Sequence, residues 1–196
     1  MNLRESQMTA VRRTQEERRE ETQRAVLQAG CHVFGEKGYA NAALEDIARE
    51  AGVTIRPIYH YFGNKQNLFA AVTEQLERHL VEALELSIKS DKESLVESGW
   101  QAFMTMSCSK HFRQIVLIDA PNILGKERWA ASSVVLKVKE ILFEIKPDMR
   151  GQRGDLISRM LIAALAEAAL MSTEMDAGAM TAQEIGRLIQ GIIKLL

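Results

Sequence analysis

The chain is poor in helix breakers and in cross-linking or metal-ligating residues, with 3 prolines, 12 glycines and 2 cysteines among 196 residues. Scarce Gly and Pro, set against abundant Ala, Leu, Ile, Met, Glu, Lys, Arg and Gln, favour helix over sheet. Cys31 and Cys108 offer no disulfide framework and fit a reducing compartment. No apolar run reaches membrane-spanning length and no signal-like apolar stretch opens the chain, so the expected location is the cytoplasm. With 4 histidines and no CxxC, no metal site is expected, even though Cys108 and His111 lie three apart. A Gly-rich phosphate loop is missing as well. Cys31-His32 has no evident acidic third partner, and Glu82 and Glu85 read as solvent-face charges by their spacing. These absences exclude a recognisable catalytic constellation and predict neither enzyme activity nor a cofactor.

A charge of one sign is also lacking. The net charge is −1, with 25 Lys+Arg against 26 Asp+Glu. Residues 1–65 hold 10 basic and 9 acidic residues, which leaves 25 − 10 = 15 against 26 − 9 = 17 for the rest. A nucleic-acid site must therefore be local rather than a broadly basic surface.

What the chain has is helical periodicity throughout. Residues 1–13 lack an apolar stripe and are expected to fray. Thr14 and Glu17 have capping-box spacing, and Val26, Ala29, Cys31, Val33 and Phe34 supply the stripe of a first long helix. Gly38 suits a left-handed cap at its end. A short helix follows with Leu44, Ile47, Ala48 and Ala51 inward, closed by Gly52. Thr54 opens a third, which Gly63-Asn64 interrupts. A long helix then runs from Asn64 to about Ser90, with Leu68, Val72, Leu76, Leu80 and Leu84 at i+4 spacing. Patterning beyond it predicts helices near 93–108, 110–119, 121–145, 154–177 and 181–195. Pro121 sits in a first turn and Pro147 acts as a stop. The fold class is all-α: an N-terminal three-helix domain over 1–65, then a C-terminal bundle of about six helices over 66–196.

The stretch "LEDIAREAGVTIRPIYHYF" has helix-turn-helix proportions. In that motif the N-terminal residues of the second helix meet base edges in the DNA major groove. Ile55, Ile58 and Phe62, at i, i+3 and i+7, make its inward face. Thr54 is a plausible N-cap, its hydroxyl able to cap the N–H of Arg56 or to bond a phosphate; Pro57 at N3 loses no intrahelical bond. Tyr59, His60 and Tyr61 are neutral donors of the kind that hold phosphates, and Lys65 stands at the start of the next helix, where an anion is favoured.

Residues 22–72 resemble the DNA-binding domain of the TetR family of bacterial transcriptional regulators. The landmarks are Phe34, Lys37-Gly38-Tyr39, Ile47-Ala48, Ala51-Gly52-Val53-Thr54, Tyr59, Tyr61-Phe62 and Lys65-Leu68-Phe69. The resemblance implies DNA contacts from Thr54, Ile55, Arg56, Pro57, Tyr59, His60, Tyr61 and Lys65. It further implies a palindromic operator on double-stranded DNA, repression, a homodimer and a small-molecule effector bound by the C-terminal domain. Where the family often has Lys-Gly, this chain has Ile55-Arg56, and Arg56 can pair bidentately with guanine. Asn41-Ala42-Ala43 replaces the hydroxyl usual before the second helix, so Asn41 becomes the candidate cap. Arg12 or Arg13 could reach a minor groove from the N-terminal arm.

Residues 100–129 gather both tryptophans around Pro121 and Gly125, and resemble a C-terminal subclass of the same family with Asp-x-Pro, Leu-Gly and a following Trp. Bulky side chains around broken helices can line an apolar pocket. Trp100, Phe103, Met104, Cys108, Phe112, Trp129 and Met160 are its candidate lining. The last two helices carry more apolar surface than a monomer needs. Met160, Ala164, Ala168, Met171, Ile185, Leu188, Ile189 and Ile192 are the candidate dimer interface. The competing readings are a helical protein-interaction module or a small helical enzyme, either with a degenerate helix-turn-helix.

Overall fold

The computed structural model describes residues 14–90, 95–174, 184, 186–188 and 190–191, and every regular element among them is helical. Helix α1 (Gln15–Asn41) starts with the full capping box: Thr14 N–H donates to Glu17 Oε2 at 2.7 Å, and Glu17 N–H donates to Thr14 Oγ1 at 3.2 Å. Val26, Ala29, Val33 and Phe34 are buried along it, while Cys31 is half-buried. Gly38 breaks the helix at φ 71°, ψ 161°. This is an extended, glycine-only conformation rather than the helical left-handed cap that the sequence suggests. The chain therefore leaves α1 sharply at this point.

Asn41 does not cap α2 (Leu44–Glu50). Its amide donates back to the Lys37 carbonyl at 3.2 Å, and Ala43 occupies the N-cap without a side-chain bond. Glu45 and Asp46 in the first turn offset the helix dipole instead. Asp46 bonds Lys37 of α1 at 2.5 Å and also Arg49, which holds its carboxyl below the usual aspartate range. A Schellman pair closes α2, from Gly52 N–H to Arg49 O (3.2 Å) and from Val53 N–H to Ala48 O (3.0 Å). Helix α3 (Ile55–Phe62) follows at once.

Asn64 caps α4 (Lys65–Ser90) by accepting the Asn67 N–H at 2.8 Å. Of its i+4 stripe, Leu68, Val72, Leu80 and Leu84 are buried and Leu76 is half-buried. One core runs from Val26 on α1, through α4, to Ala120. At its upper end Phe69 meets Phe34 and Tyr39 edge to face, with centroids 5.1 and 5.0 Å apart.

The later chain forms α5 (Leu95–Ser107), α6 (Lys110–Phe112), a π-helical segment (Arg113–Asp119), α7 (Ala120–Ile123), α8 (Gly125–Ala130), α9 (Ser133–Ile145), a 3-10 turn (Pro147–Met149) and α10 (Gln152–Glu174). The single helix expected over 121–145 is in fact three. Gly125 turns the chain at φ 83°, and Ser132 starts α9 afresh by accepting the Val135 N–H at 3.3 Å. In the widened π turn, Ala120 N–H reaches the Ile115 carbonyl, and Pro121 supplies no N–H of its own. Helix α4 packs against α5 and α9, and α10 packs against α9. Among the described residues, no helix is long and apolar enough to cross a membrane.

Candidate functional site

Helix α3 is held from below by Ile58, which is fully buried, with Ile55 and Phe62 half-buried against the core. Ile55 thus supports the helix more than it faces outward. Thr54 sits at the N-cap with its side chain making no cap bond, so the Arg56 N–H is not capped as expected. Arg56 and His60 are exposed, Tyr59 is 52% exposed, and Pro57 and Tyr61 are half-buried. His60 and Tyr61 touch ring to ring at 4.9 Å, and the Arg19 guanidinium lies 5.5 Å above the Tyr61 ring. Lys65 Nζ sits 4.5 Å from the Tyr39 ring centroid and 3.4 Å from the Ala40 carbonyl. Arg56, Tyr59 and His60 are thus the exposed donors of α3, and Lys65 opens the next helix. Arg12 and Arg13 lie outside the described residues.

Below this face, α4 enters the wall of a cavity of about 420 Å³ between α4, α5, the π segment, α9 and α10. Its wall is mostly aliphatic and aromatic. Trp100, Phe103 and Phe112 are in it, as the sequence suggests. Met104, Cys108 and Met160 are not. Cys108 is exposed in the turn after α5, and Met160 is 63% exposed because it projects from the outer face of α10, whereas Leu161, Ile162 and Leu165 face inward. Met104 is half-buried on a face of α5 away from the wall. The side chain of Trp129 lies outside the described residues.

One charged group in the wall is almost wholly buried. Glu77 is 3% exposed and receives Arg128 Nη1 at 2.6 Å. Burial pushes its carboxyl up, and the Arg128 bond only partly opposes that rise. Glu77 escaped the sequence reading because Arg128, 51 positions away, leaves no local signature; its spacing from buried Thr73 and Leu80 was the available signal.

The outer face of α10 carries exposed Leu156, Met160, Ala164 and Met171, with Ala168 half-buried, and Leu188 is 57% exposed. Ile185, Ile189 and Ile192 lie outside the described residues.

Known proteins agree with this architecture. Residues 26–72 match the family of bacterial regulatory proteins of the tetR type, and residues 94–196 match a tetracyclin repressor-like C-terminal domain. The chain is 41% identical over 78 residues to the HTH-type transcriptional regulator TtgR of Pseudomonas putida, covering 38% of this chain and 37% of that one. It is 31% identical over 113 residues to SrpR, also of Pseudomonas putida, covering 54% and 50%. These alignments span half or less of the relatives' own length. A TetR-family transcriptional regulator of Pectobacterium atrosepticum superposes with a TM-score of 0.65 at 25% identity, covering 94% of this chain and 96% of that one. A family model thus accounts for the helix-turn-helix and another for the cavity-bearing half, and the chain belongs to the TetR family of transcriptional regulators, with a DNA-binding helix-turn-helix.

Proposed function

We propose that the chain acts in the cytoplasm as a homodimeric repressor of a palindromic operator, released by a small, mainly apolar effector. The observation that carries this reading is that α4 serves both sites. Its first turn bears Lys65 beside α3, and its middle supplies Glu77, Leu80 and Leu84 to the cavity wall. An occupant that moves the middle of α4 must tilt its first turn. Two recognition helices so displaced no longer fit half-sites one DNA turn apart.

In this reading Thr54, Tyr59, His60, Tyr61 and Lys65 hold phosphates, Arg56 reads a base, and residues 1–65 and 66–196 are the DNA-binding and regulatory units. The cavity suits an apolar body, with Glu77 as a deeply buried polar anchor for a donor group. The exposed apolar face of α10, together with exposed Leu188, supports a two-fold interface. Covering it gains roughly 25 cal/mol per Å² of apolar surface.

Selecting bound duplexes from a random pool tests the proposal. Enrichment of an inverted repeat is the expected result, and no sequence preference at any salt concentration would refute it. An effector-bound crystal structure in which the recognition-helix separation is unchanged would remove the release mechanism.

A further inference from the structure

We propose that His32 and Glu36 of α1, with His111 of α6, form a binding site for a zinc-class divalent ion that ties the helix-turn-helix unit to the C-terminal bundle. One ligand atom from each of the three lies within 4.8 Å of the others. His32 and Glu36 are one helical turn apart and share a face of α1. His111 Nε2 and Glu36 Oε1 are 2.9 Å apart. Two donors bound tetrahedrally to one ion at 2.0–2.1 Å are about 3.3 Å apart, so a shift of a few tenths of an ångström brings this pair to the spacing of two ligands on one metal.

The surroundings support a bound cation. Glu36 receives Lys110 through its other oxygen, Oε2, at 2.7 Å, so Oε1 can turn to a metal without Lys110 leaving. His32 Nδ1 lies 2.7 Å from Glu50 Oε1. With Nδ1 held by that carboxylate, Nε2 is the nitrogen offered to a metal in our proposal, the arrangement in which an outer carboxylate orients a metal-bound histidine. Glu36 and Glu50 both bring carboxylates to the two imidazoles. The His111 ring is also seated tightly on α1. A Cβ at Gly35 would come within 2.5 Å of His111 Cδ2 and Cγ, so α1 leaves room for the imidazole where any other residue would collide with it. Two imidazoles and a carboxylate match zinc and its neighbours in the first transition row, and not calcium or magnesium.

The site was not visible in the sequence because His111 follows Glu36 by 75 positions. It stands apart from the effector cavity and does not depend on the repressor reading.

The test uses the full-length protein freed of metal by a chelator. Cobalt(II) is titrated first, its ligand-field absorption reporting coordination, and zinc then displaces it. We expect one equivalent per chain and a melting temperature that rises with zinc concentration. His32→Gln and His111→Gln each weaken binding by more than about a hundredfold. Glu50→Gln, which acts only through His32, weakens it by about tenfold to a hundredfold. His79→Gln leaves it unchanged. Circular dichroism of each variant establishes that it is folded. The proposal fails if wild-type protein shows neither the cobalt spectrum nor a zinc-dependent rise in melting temperature. It fails equally if the folded His32→Gln/His111→Gln double variant binds as the wild type does.

Discussion

The carboxylate of Asp119 accepts the backbone N–H of Tyr39 at 2.8 Å, across 80 positions of sequence. Gln114 donates to the same oxygen at 3.1 Å. The Asp of the Asp-x-Pro segment therefore holds the chain where it leaves α1 after Gly38, and Tyr39 in turn packs on Phe69 and under Lys65. The helix-turn-helix and the regulatory half meet at a hydrogen bond as well as through shared core.

Replacing Asp119 with Ala leaves the Tyr39 N–H without its acceptor. A part-buried backbone donor so stranded costs about 1–2 kcal/mol. Urea unfolding measures the loss. Operator release by the effector should weaken as well, because one of the polar links between the units is gone.

The Glu77–Arg128 pair predicts a pH-dependent defect. Burial raises the carboxyl of Glu77. The folded chain therefore keeps its proton to a higher pH than the unfolded chain does. The contribution of Glu77 favours folding below the ordinary glutamate range and is lost as pH rises through its folded value. Arg128→Ala removes the bond and charge that oppose this shift. The variant should be less stable by about 3 kcal/mol near neutrality, the low end for a broken buried pair, since Arg128 keeps some solvent contact. The difference from wild type should shrink as pH falls toward the usual glutamate range. Urea midpoints for both proteins over a pH series check the sign; a gap that widens on acidification contradicts it.

At α3 the two cationic residues should fail differently. Arg56→Ala is expected to cost about 1–3 kcal/mol on the preferred operator and to relax preference at one base pair. Lys65→Ala should weaken binding to all sequences alike and reduce the slope of log affinity against log salt by about 1. Titrations of operator and scrambled duplex at several salt concentrations separate the two.

Filling the cavity should silence the response without harming DNA binding. Val138 is half-buried in the wall on α9, away from α3. Val138→Phe should raise stability by about 0.5–2 kcal/mol, as cavity-filling changes commonly do. It should retain the operator in the presence of effector. Thermal melts and a release assay give the two readouts.

Local information carried much of this. The Thr14–Glu17 box, the α4 stripe and the inward face of α3 were legible because each rests on contacts within one or two helical turns, where periodicity and capping chemistry act. The same reasoning misplaced the ends of local devices. Asn41 was free to bond backward to Lys37 and did so, and Gly38 took an extended rather than a helical ψ because Asp119 draws Tyr39 across. In the later half, Pro121 and Gly125 marked an interruption, but the helical pattern over 121–145 did not reveal the restart at Ser132, since both flanks share one apolar periodicity.

By itself, then, the sequence determined the helical class, the helix-turn-helix and the face that α3 turns outward, all consequences of short-range spacing. Tertiary structure alone decided which bulky residues line the cavity. Phe103 and Phe112 face it and Met160 does not, because that depends on how α5, the π segment and α10 are rotated against one another. It also decided the pairs Glu77–Arg128, Tyr39–Asp119 and Glu36–His111, separated by 51, 80 and 75 positions. Contacts between residues that far apart form only when packed helices bring them together, and no local pattern encodes that packing.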